Sequence, residues 1–257
     1  MINHQETVIA FTRLQRSFHS HLLHFMVFFI ITGLPLLSTS FSFLGSLFAI
    51  PYDFIGSVYT DLSTSGLTDN ERLALGLQVA RIIHRLTALL FLIMAIPFVV
   101  VHLAHIRTWA IWPEDRWSIA AFFDGIKGLW VNYVALGHAR FGKFNIGQKL
   151  FAWTMIVTIT AITASGFVLM FRDLFSQGIQ EFCRFVHAAS FVVIGAFLVV
   201  HLYLALLPMN RQALNAMFED GKLPIDYVKD HHQIWYEKLT GKSAEPSSTD
   251  KKEHESI

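Results

Sequence analysis

The chain has 257 residues and a formal net charge of +1, with 53% hydrophobic and 15% charged residues. A soluble domain carries about 25% charged residues, so this composition favours an integral membrane protein. No basic block or aromatic platform indicates a nucleic-acid partner. Cys183 is the single cysteine, which excludes an internal disulfide, an iron–sulfur cluster ligated by this chain alone and covalent haem attachment through CxxCH.

Four long apolar segments follow one another along the chain, and each is long enough to cross a bilayer core of about 30 Å. They cover residues 22–44, 79–103, 150–171 and 182–207. No short apolar segment with a cleavage site precedes the first, so we expect no removable signal peptide. The sequence therefore predicts an all-α, integral membrane four-helix bundle. We expect residues 1–21 to form an N-terminal segment, 22–207 the bundle, and 208–257 a tail whose last part is flexible.

The distribution of lysine and arginine predicts the orientation in the membrane. The loop after the first span, residues 46–78, contains one basic residue, whereas residues 105–149 contain six and the C-terminal tail contains seven. We therefore expect a multi-pass protein of the bacterial inner membrane with both termini in the cytoplasm. Residues 112–133 are amphipathic and are predicted to lie on the cytoplasmic membrane surface.

Two histidines of the fourth span carry the strongest functional signal. His187 and His201 are fourteen residues apart, which on a helix leaves them about 40° apart around the axis and about 21 Å apart along it. A neutral imidazole can be an axial ligand for haem iron. A histidine within a membrane span costs free energy, so it is a functional candidate by default. The pair predicts one haem near each side of the membrane.

Each haem needs a second axial ligand at a matching depth on another helix. His84 begins the second span from the outer side, so it pairs with His187. The inner haem, bound by His201, has several possible partners near the cytoplasmic ends of the first two spans. Spacing alone does not choose among the four candidates His19, His21, His24 and His102.

Five segments, in order, resemble the formate dehydrogenase cytochrome b (gamma) subunit family. Its first helix is similar to LQRSFHSHLLHFMVFFIITGLPL, in which Arg16, His19 and Gly33 have the family's spacing. Its second-helix haem motif is similar to QVARIIHRL, its segment before the third helix to KFNIGQK, and its cytoplasmic tail to KDHHQIWYEKL. The histidine pair of the fourth span matches its fourth helix. The chain departs from the family in having Ser20 where tryptophan is usual, two additional histidines nearby and a longer first loop.

This resemblance implies how the cofactors are bound. His84 and His187 would be the axial ligands of an outer haem b, and His19 and His201 those of an inner haem b. The family's inner haem lies beside a quinone site, so menaquinone or ubiquinone is implied as an exchangeable substrate next to His201.

The NxGQ motif, represented by Asn145, Gly147 and Gln148, faces the quinone in the resembling family. Side-chain amides can donate hydrogen bonds to a quinone carbonyl, and glycine allows a ring to approach the backbone. Considered from the residues alone, the same segment could instead be the start of the third helix, with Asn145 as its N-cap.

The expected function is that of a membrane-anchoring, electron-transfer subunit with no catalytic metal of its own. The resemblance implies an iron–sulfur partner subunit and a molybdenum or tungsten catalytic subunit, with electrons passing through two b haems to membrane quinone. A nickel–iron hydrogenase or thiosulfate reductase cytochrome b, or a quinol-oxidising subunit with the reverse flow, would share the same bundle. A histidine-containing metal transporter is a further alternative, but it predicts carboxylates within the spans, which contain almost none.

Overall fold

A computed structural model describes most of the chain and leaves out both termini and parts of the loops. The described residues are 6–56, 66–112, 119–135, 139–242 and 244. The part of the tail that we expect to be flexible, from residue 245 onward, lies outside them, as do residues 113–118 of the amphipathic segment.

Within the residues that the structure describes, four long helices confirm the prediction of an all-α membrane bundle. They are α1 (Arg13–Leu37), α3 (Asp69–Leu103), α5 (Ile146–Met170) and α6 (Gln177–Ala205), and each is long and apolar enough to span a membrane. These helices expose large apolar side chains, such as Ile93 with 71% of its surface accessible. Such faces are stable in lipid, where no water has to be ordered around them.

The chain divides into two compact units, one of residues 14–104 and the other of residues 1–13 and 105–257. The first unit contains most of α1, a 3₁₀ segment at Thr39–Ala49, the short helix α2 (Ile50–Gly56) and α3. The first predicted span, residues 22–44, is not one continuous α-helix. Helix α1 ends at Leu37 and not near residue 44. Pro35 lies in the last turn of α1, and Ser38 is extended with φ −154°, so the backbone leaves the helix there.

Two glycines set the close packing of the 3₁₀ segment on α3. A Cβ atom added to Gly76 would lie 1.9 Å from the carbonyl oxygen of Gly45, so only glycine allows this approach. Arg72 forms an ion pair with Asp53 of α2. At its start, α3 is fixed by a capping box between Thr68 and Glu71.

The second unit is built around the antiparallel pair α5 and α6, which a 3₁₀ turn at Arg172–Leu174 connects. It also contains a 3₁₀ turn at Ile106–Thr108, the helix α4 (Ile119–Tyr133) and another 3₁₀ turn at Pro208–Asn210. The C-terminal helices are α7 (Arg211–Phe218), α8 (Ile225–His231) and α9 (Gln233–Thr240).

Helix α4 confirms the amphipathic pattern over its described residues. Its exposed stripe has the spacing of one helix face and consists of Ile119, Phe122, Phe123, Ile126 and Trp130. On the other side, glycines at 125 and 128 bring α4 close to Ile146 and Phe141.

A small sheet ties the N-terminal segment to the C-terminal tail. Strand β1 (Thr7–Ile9) pairs antiparallel with β2 (Lys222–Pro224), with Val8 opposite Leu223. A small apolar core lies next to it, made of Ala10, Ala216, Leu223, Tyr227 and Val228. From the sequence, the two extensions are expected to be separate and no strand is predicted, because strands of three residues are too short to show an alternating pattern.

Candidate functional site

The ring of His84 is held by a hydroxyl group inside the first unit. Its Nδ1 atom lies 2.9 Å from Oγ1 of Thr32, a residue that is 1% exposed. The Thr32 hydroxyl itself donates to the carbonyl oxygen of Phe28 at 2.6 Å. Since its only proton is used there, Oγ1 accepts the hydrogen bond from Nδ1–H of His84. The lone pair of the neutral imidazole is therefore on Nε2.

Glycine gives this ring its space. A Cβ atom at Gly33 would lie 3.2 Å from Cε1 of His84, closer than an ordinary carbon–carbon contact. Phe29 contacts the same ring edge-on, with the centroids 5.3 Å apart. The sequence Thr32–Gly33 therefore both orients His84 and makes room for it.

His187 has a matching environment in the second unit. Its Nδ1 atom lies 3.0 Å from the carbonyl oxygen of Ile162 and 3.2 Å from Oγ of Ser165. A carbonyl oxygen can only accept, so Nδ1 carries the proton and Nε2 carries the lone pair. The Ser165 hydroxyl is also close to its own helix backbone, at 2.7 Å from the carbonyl oxygen of Ala161.

A glycine also lies against the ring of His187, as Gly33 does against His84. A Cβ atom at Gly166 would lie 3.1 Å from Cε1 of His187. A hydroxyl residue followed by glycine thus contacts each histidine from the neighbouring helix of its own unit. In metal sites, a hydrogen bond from the second ring nitrogen fixes the tautomer and strengthens the ligating nitrogen. Both histidines therefore have the chemistry that an axial haem ligand requires.

His201 lies near the other end of α6 and is half-buried. Its ring stacks on Phe151 with the centroids 4.9 Å apart and the planes 17° apart. Phe151 is in the second turn of α5, three residues after Gln148. The NxGQ motif and His201 therefore belong to the same end of the α5 and α6 pair, where the family resemblance implies a quinone site.

The four inner candidates in the first unit differ in burial. His21 and His24 are exposed, whereas His19 and His102 are half-buried. The ring of His102 stacks on Phe98 at 4.0 Å, and Phe98 stacks on Phe18 at 3.8 Å. His102 is therefore close to the start of α1, where His19 lies. Burial favours these two over His21 and His24.

The NxGQ motif forms the N-terminal cap of α5. The Asn145 side-chain oxygen accepts from the backbone N–H of Gln148, and the Gln148 side-chain oxygen accepts from the N–H of Asn145, both at 2.9 Å. This capping box uses the two oxygens and leaves both NH₂ groups out of the cap. At Gly147, a Cβ atom would lie 3.2 Å from Cδ1 of Leu129 in α4.

The comparison with protein families decides the class of protein. A family model described as prokaryotic cytochrome b561 matches residues 10–220, which include all four spans and the candidate histidines from 19 to 201. The chain belongs to the prokaryotic cytochrome b561 family. Membership in this cytochrome b family implies haem b as the cofactor, which agrees with the tautomers of His84 and His187.

Curated relatives of this cytochrome b are subunits of formate dehydrogenases. The chain is 27% identical over 165 residues to the formate dehydrogenase cytochrome b556 subunit of Haemophilus influenzae, which covers 62% of this chain and 63% of that one. It is 31% identical over 110 residues to the cytochrome b556(fdo) subunit of Escherichia coli K12, covering 40% and 51%. It is 26% identical over 113 residues to the nitrate-inducible cytochrome b556(Fdn) subunit of the same strain, covering 43% and 51%. The match thus spans about half the length of the two Escherichia coli relatives.

Thr32 and Ser165 do not stand out in the sequence of this cytochrome b. A hydroxyl residue that bonds to the carbonyl four residues earlier is ordinary in a membrane helix. The available signal was the pair of dipeptides, Thr32–Gly33 and Ser165–Gly166, each inside an apolar span.

Proposed function

We propose that this cytochrome b is the membrane-anchoring, di-haem subunit of a respiratory oxidoreductase of the formate dehydrogenase type. The matched environments of His84 and His187 are the observation that carries the proposal. Each histidine has its Nδ1 atom held by a hydrogen-bond acceptor and its ring against a glycine. A haem with two histidine ligands requires two neutral imidazoles whose second ring nitrogen is held by an acceptor.

In this proposal, His84 and His187 hold the outer haem b, and His19 and His201 hold the inner one. The half-buried position of His19 and the exposure of His21 and His24 support His19, as does its spacing from Gly33. A bound haem b supplies reversible one-electron transfer. The chain's own residues hold His84 and His187 as neutral imidazoles. Thr32 and Ser165 keep the Nδ1 protons of these two rings in place.

The proposed quinone site lies at the start of α5, beside His201. The NH₂ groups of Asn145 and Gln148 are not used by the capping box, so each can donate to a quinone carbonyl. At Gly147 the missing side chain makes room for Leu129 of α4, so the proposed contacts with the quinone are those of the two amides. Asn145 and Gln148 thus both begin the helix and orient the substrate, and protons reach the quinone from the cytoplasmic side.

The proposed orientation follows the basic residues of the second loop and the tail, which put both termini in the cytoplasm of a bacterial inner membrane. The proposed partners are an iron–sulfur subunit, which delivers electrons at the outer side, and a molybdenum or tungsten catalytic subunit. The family resemblance implies these partners, and the relatives named as formate dehydrogenase subunits support them.

The experiment that tests the proposal is to replace each histidine in the full-length protein and count haem against protein. We expect His84→Ala, His187→Ala, His19→Ala and His201→Ala each to lose one haem of two. The exposed residues provide the control, since His21→Ala and His24→Ala should retain both. A His201→Ala protein with full haem content would contradict the assignment of the inner haem.

A further inference from the structure

Three cationic side chains and three tryptophans line one cleft of the second unit. The cations are Arg107, Lys143 and Lys238, and the indoles are those of Trp109, Trp112 and Trp235. The cleft has a volume of about 310 Å³, which is at the lower end of the range of about 300–1,000 Å³ for small-molecule sites. The cleft therefore has room for a small polar group and the atoms bonded to it.

Two contacts hold the ammonium group of Lys143 in place. Its Nζ atom donates to the carbonyl oxygen of Ala10 at 2.7 Å and lies 5.2 Å from the centre of the Trp235 ring. Burial lowers the pKa of the Lys143 ammonium, because the charged form has lost part of its hydration. A partly dehydrated ammonium with N–H donors left over gains more from an anion than a fully hydrated one does.

The indoles place the cleft at the level of the lipid headgroups. Trp112 packs on Trp153 with centroids 4.8 Å apart, and Trp109 packs on it at 6.2 Å. Trp153 lies in the third turn of α5, and its Nε1–H donates to the carbonyl oxygen of Ile111 at 3.2 Å. Tryptophans cluster at the ends of membrane spans, where the ring lies in the interface and the N–H finds a polar partner.

We propose that this cleft binds the phosphate group of an anionic phospholipid, with Lys143, Arg107 and Lys238 as its cationic ligands. The tryptophans contact the glycerol and the upper acyl chains. This contact is what distinguishes a lipid from free phosphate, which has no apolar part to place against indoles. The positive charge of the cleft distinguishes an anionic headgroup from a zwitterionic one, whose own ammonium group would be repelled.

The test uses the full-length, haem-loaded protein in detergent, stripped of lipid and titrated separately with phosphatidylglycerol, phosphatidylethanolamine and inorganic phosphate. Thermal stability and lipid retained per chain are the readouts. Arg107 and Lys238 are both exposed, so the double variant R107Q/K238Q should fold. The matched control is R211Q/K222Q, which removes two exposed cations from the same unit outside the cleft.

We expect phosphatidylglycerol to stabilise the unaltered protein and the control equally. In R107Q/K238Q its half-saturating concentration should rise about fivefold per cation, and about 25-fold in all. Equal affinity in the double variant and the control would overturn the site. Equal binding of phosphatidylethanolamine would overturn the recognition of an anion. Stabilisation by inorganic phosphate at the same concentration as by lipid would show a free-phosphate site and overturn the lipid assignment.

Discussion

Nδ1 of His84 lies 2.9 Å from the hydroxyl oxygen of Thr32, a residue on another helix that is almost completely buried. The Thr32 proton is already donated to the carbonyl oxygen of Phe28, so Thr32 acts as an acceptor toward the histidine. This arrangement leaves the Nε2 lone pair available to bind the iron of the proposed outer haem. It also adds electron density to the imidazole, which stabilises the oxidised metal.

Replacing Thr32 by valine should raise the reduction potential of the outer haem. Valine has a similar shape but cannot accept, so the Nδ1–H of His84 loses its partner and the imidazole becomes a weaker donor. An effect of roughly 1 kcal/mol corresponds to about 40 mV for one electron. A redox titration followed at the haem absorption bands measures it. Thr160→Val is the control, because that hydroxyl is exposed on α5 and bonds to Ile156 of its own helix. A Thr32→Val protein with both potentials unchanged would contradict this role.

Gly166→Ala should weaken haem binding at the outer site. The added Cβ atom would lie 3.1 Å from Cε1 of His187, and the ring must move to relieve a contact that costs about 1–3 kcal/mol. Haem retained per chain after dilution into detergent measures the effect. Gly195→Ala is the control, because its added Cβ would meet nothing within 4 Å. Equal haem retention in both variants would show that the glycine does not restrict the ring.

Two substitutions of Asn145 separate its role as a helix cap from its proposed role toward quinone. Asn145→Asp keeps an oxygen for the N–H of Gln148 and removes the NH₂ donor. Asn145→Ala removes both and should cost about 1 kcal/mol of stability. We expect the aspartate variant to retain its thermal stability but to have a raised KM for quinone. An unchanged KM in the aspartate variant would show that Asn145 caps the helix and does not contact the quinone.

The packing of α3 on the 3₁₀ segment should be intolerant of any side chain at Gly76. A Cβ atom there would lie 1.9 Å from a backbone oxygen, so the backbone itself has to shift, at a cost of about 1–3 kcal/mol or more. A lower thermal unfolding temperature is expected for Gly76→Ala. Gly178→Ala, in the first turn of α6, has nothing within 4 Å of its added Cβ and should unfold like the original protein. Equal unfolding temperatures would contradict the close approach.

The small sheet and its core should lose stability in acid because of His232. Burial lowers the pKa of His232 below its ordinary value of 6.5, the hydrogen bond with the carbonyl of Gly142 opposes this, and the charges of His231 and Lys143 lower it further. Below pH 6.5 the unfolded chain takes up the proton first, so stability falls as the pH drops from 6.5 toward the folded pKa and is unaffected above 6.5. Hydrogen exchange of β1 and β2 measures this.

In a His232→Gln variant, the dependence of exchange on pH between 7 and 5 should become weaker. The exposed His105 supplies the control, since His105→Gln should leave the dependence as it was. A His232→Gln protein with the original dependence would show that another group is responsible.

The sequence predicted the four spans because lipid demands long uninterrupted apolar helices. It also predicted the shared face of His187 and His201, which depends only on helical periodicity. The end of α1 was predicted too late, since residues 39–49 stay apolar and change only from an α-helix to a 3₁₀ helix. The roles of Thr32 and Ser165 could not be predicted, because they depend on which neighbouring helix contacts each hydroxyl. Strand β1 was missed for a similar reason, since its partner is more than two hundred residues away.

In the proposed function, the four histidines at positions 19, 84, 187 and 201 bind two b haems. The most direct measurement is a reduced-minus-oxidised absorption spectrum of the purified full-length protein, with the haem extracted and quantified against protein. We expect two low-spin b haems per chain, falling to one in His84→Ala and in His201→Ala. One haem in the unaltered protein, or two haems remaining in either variant, would contradict it.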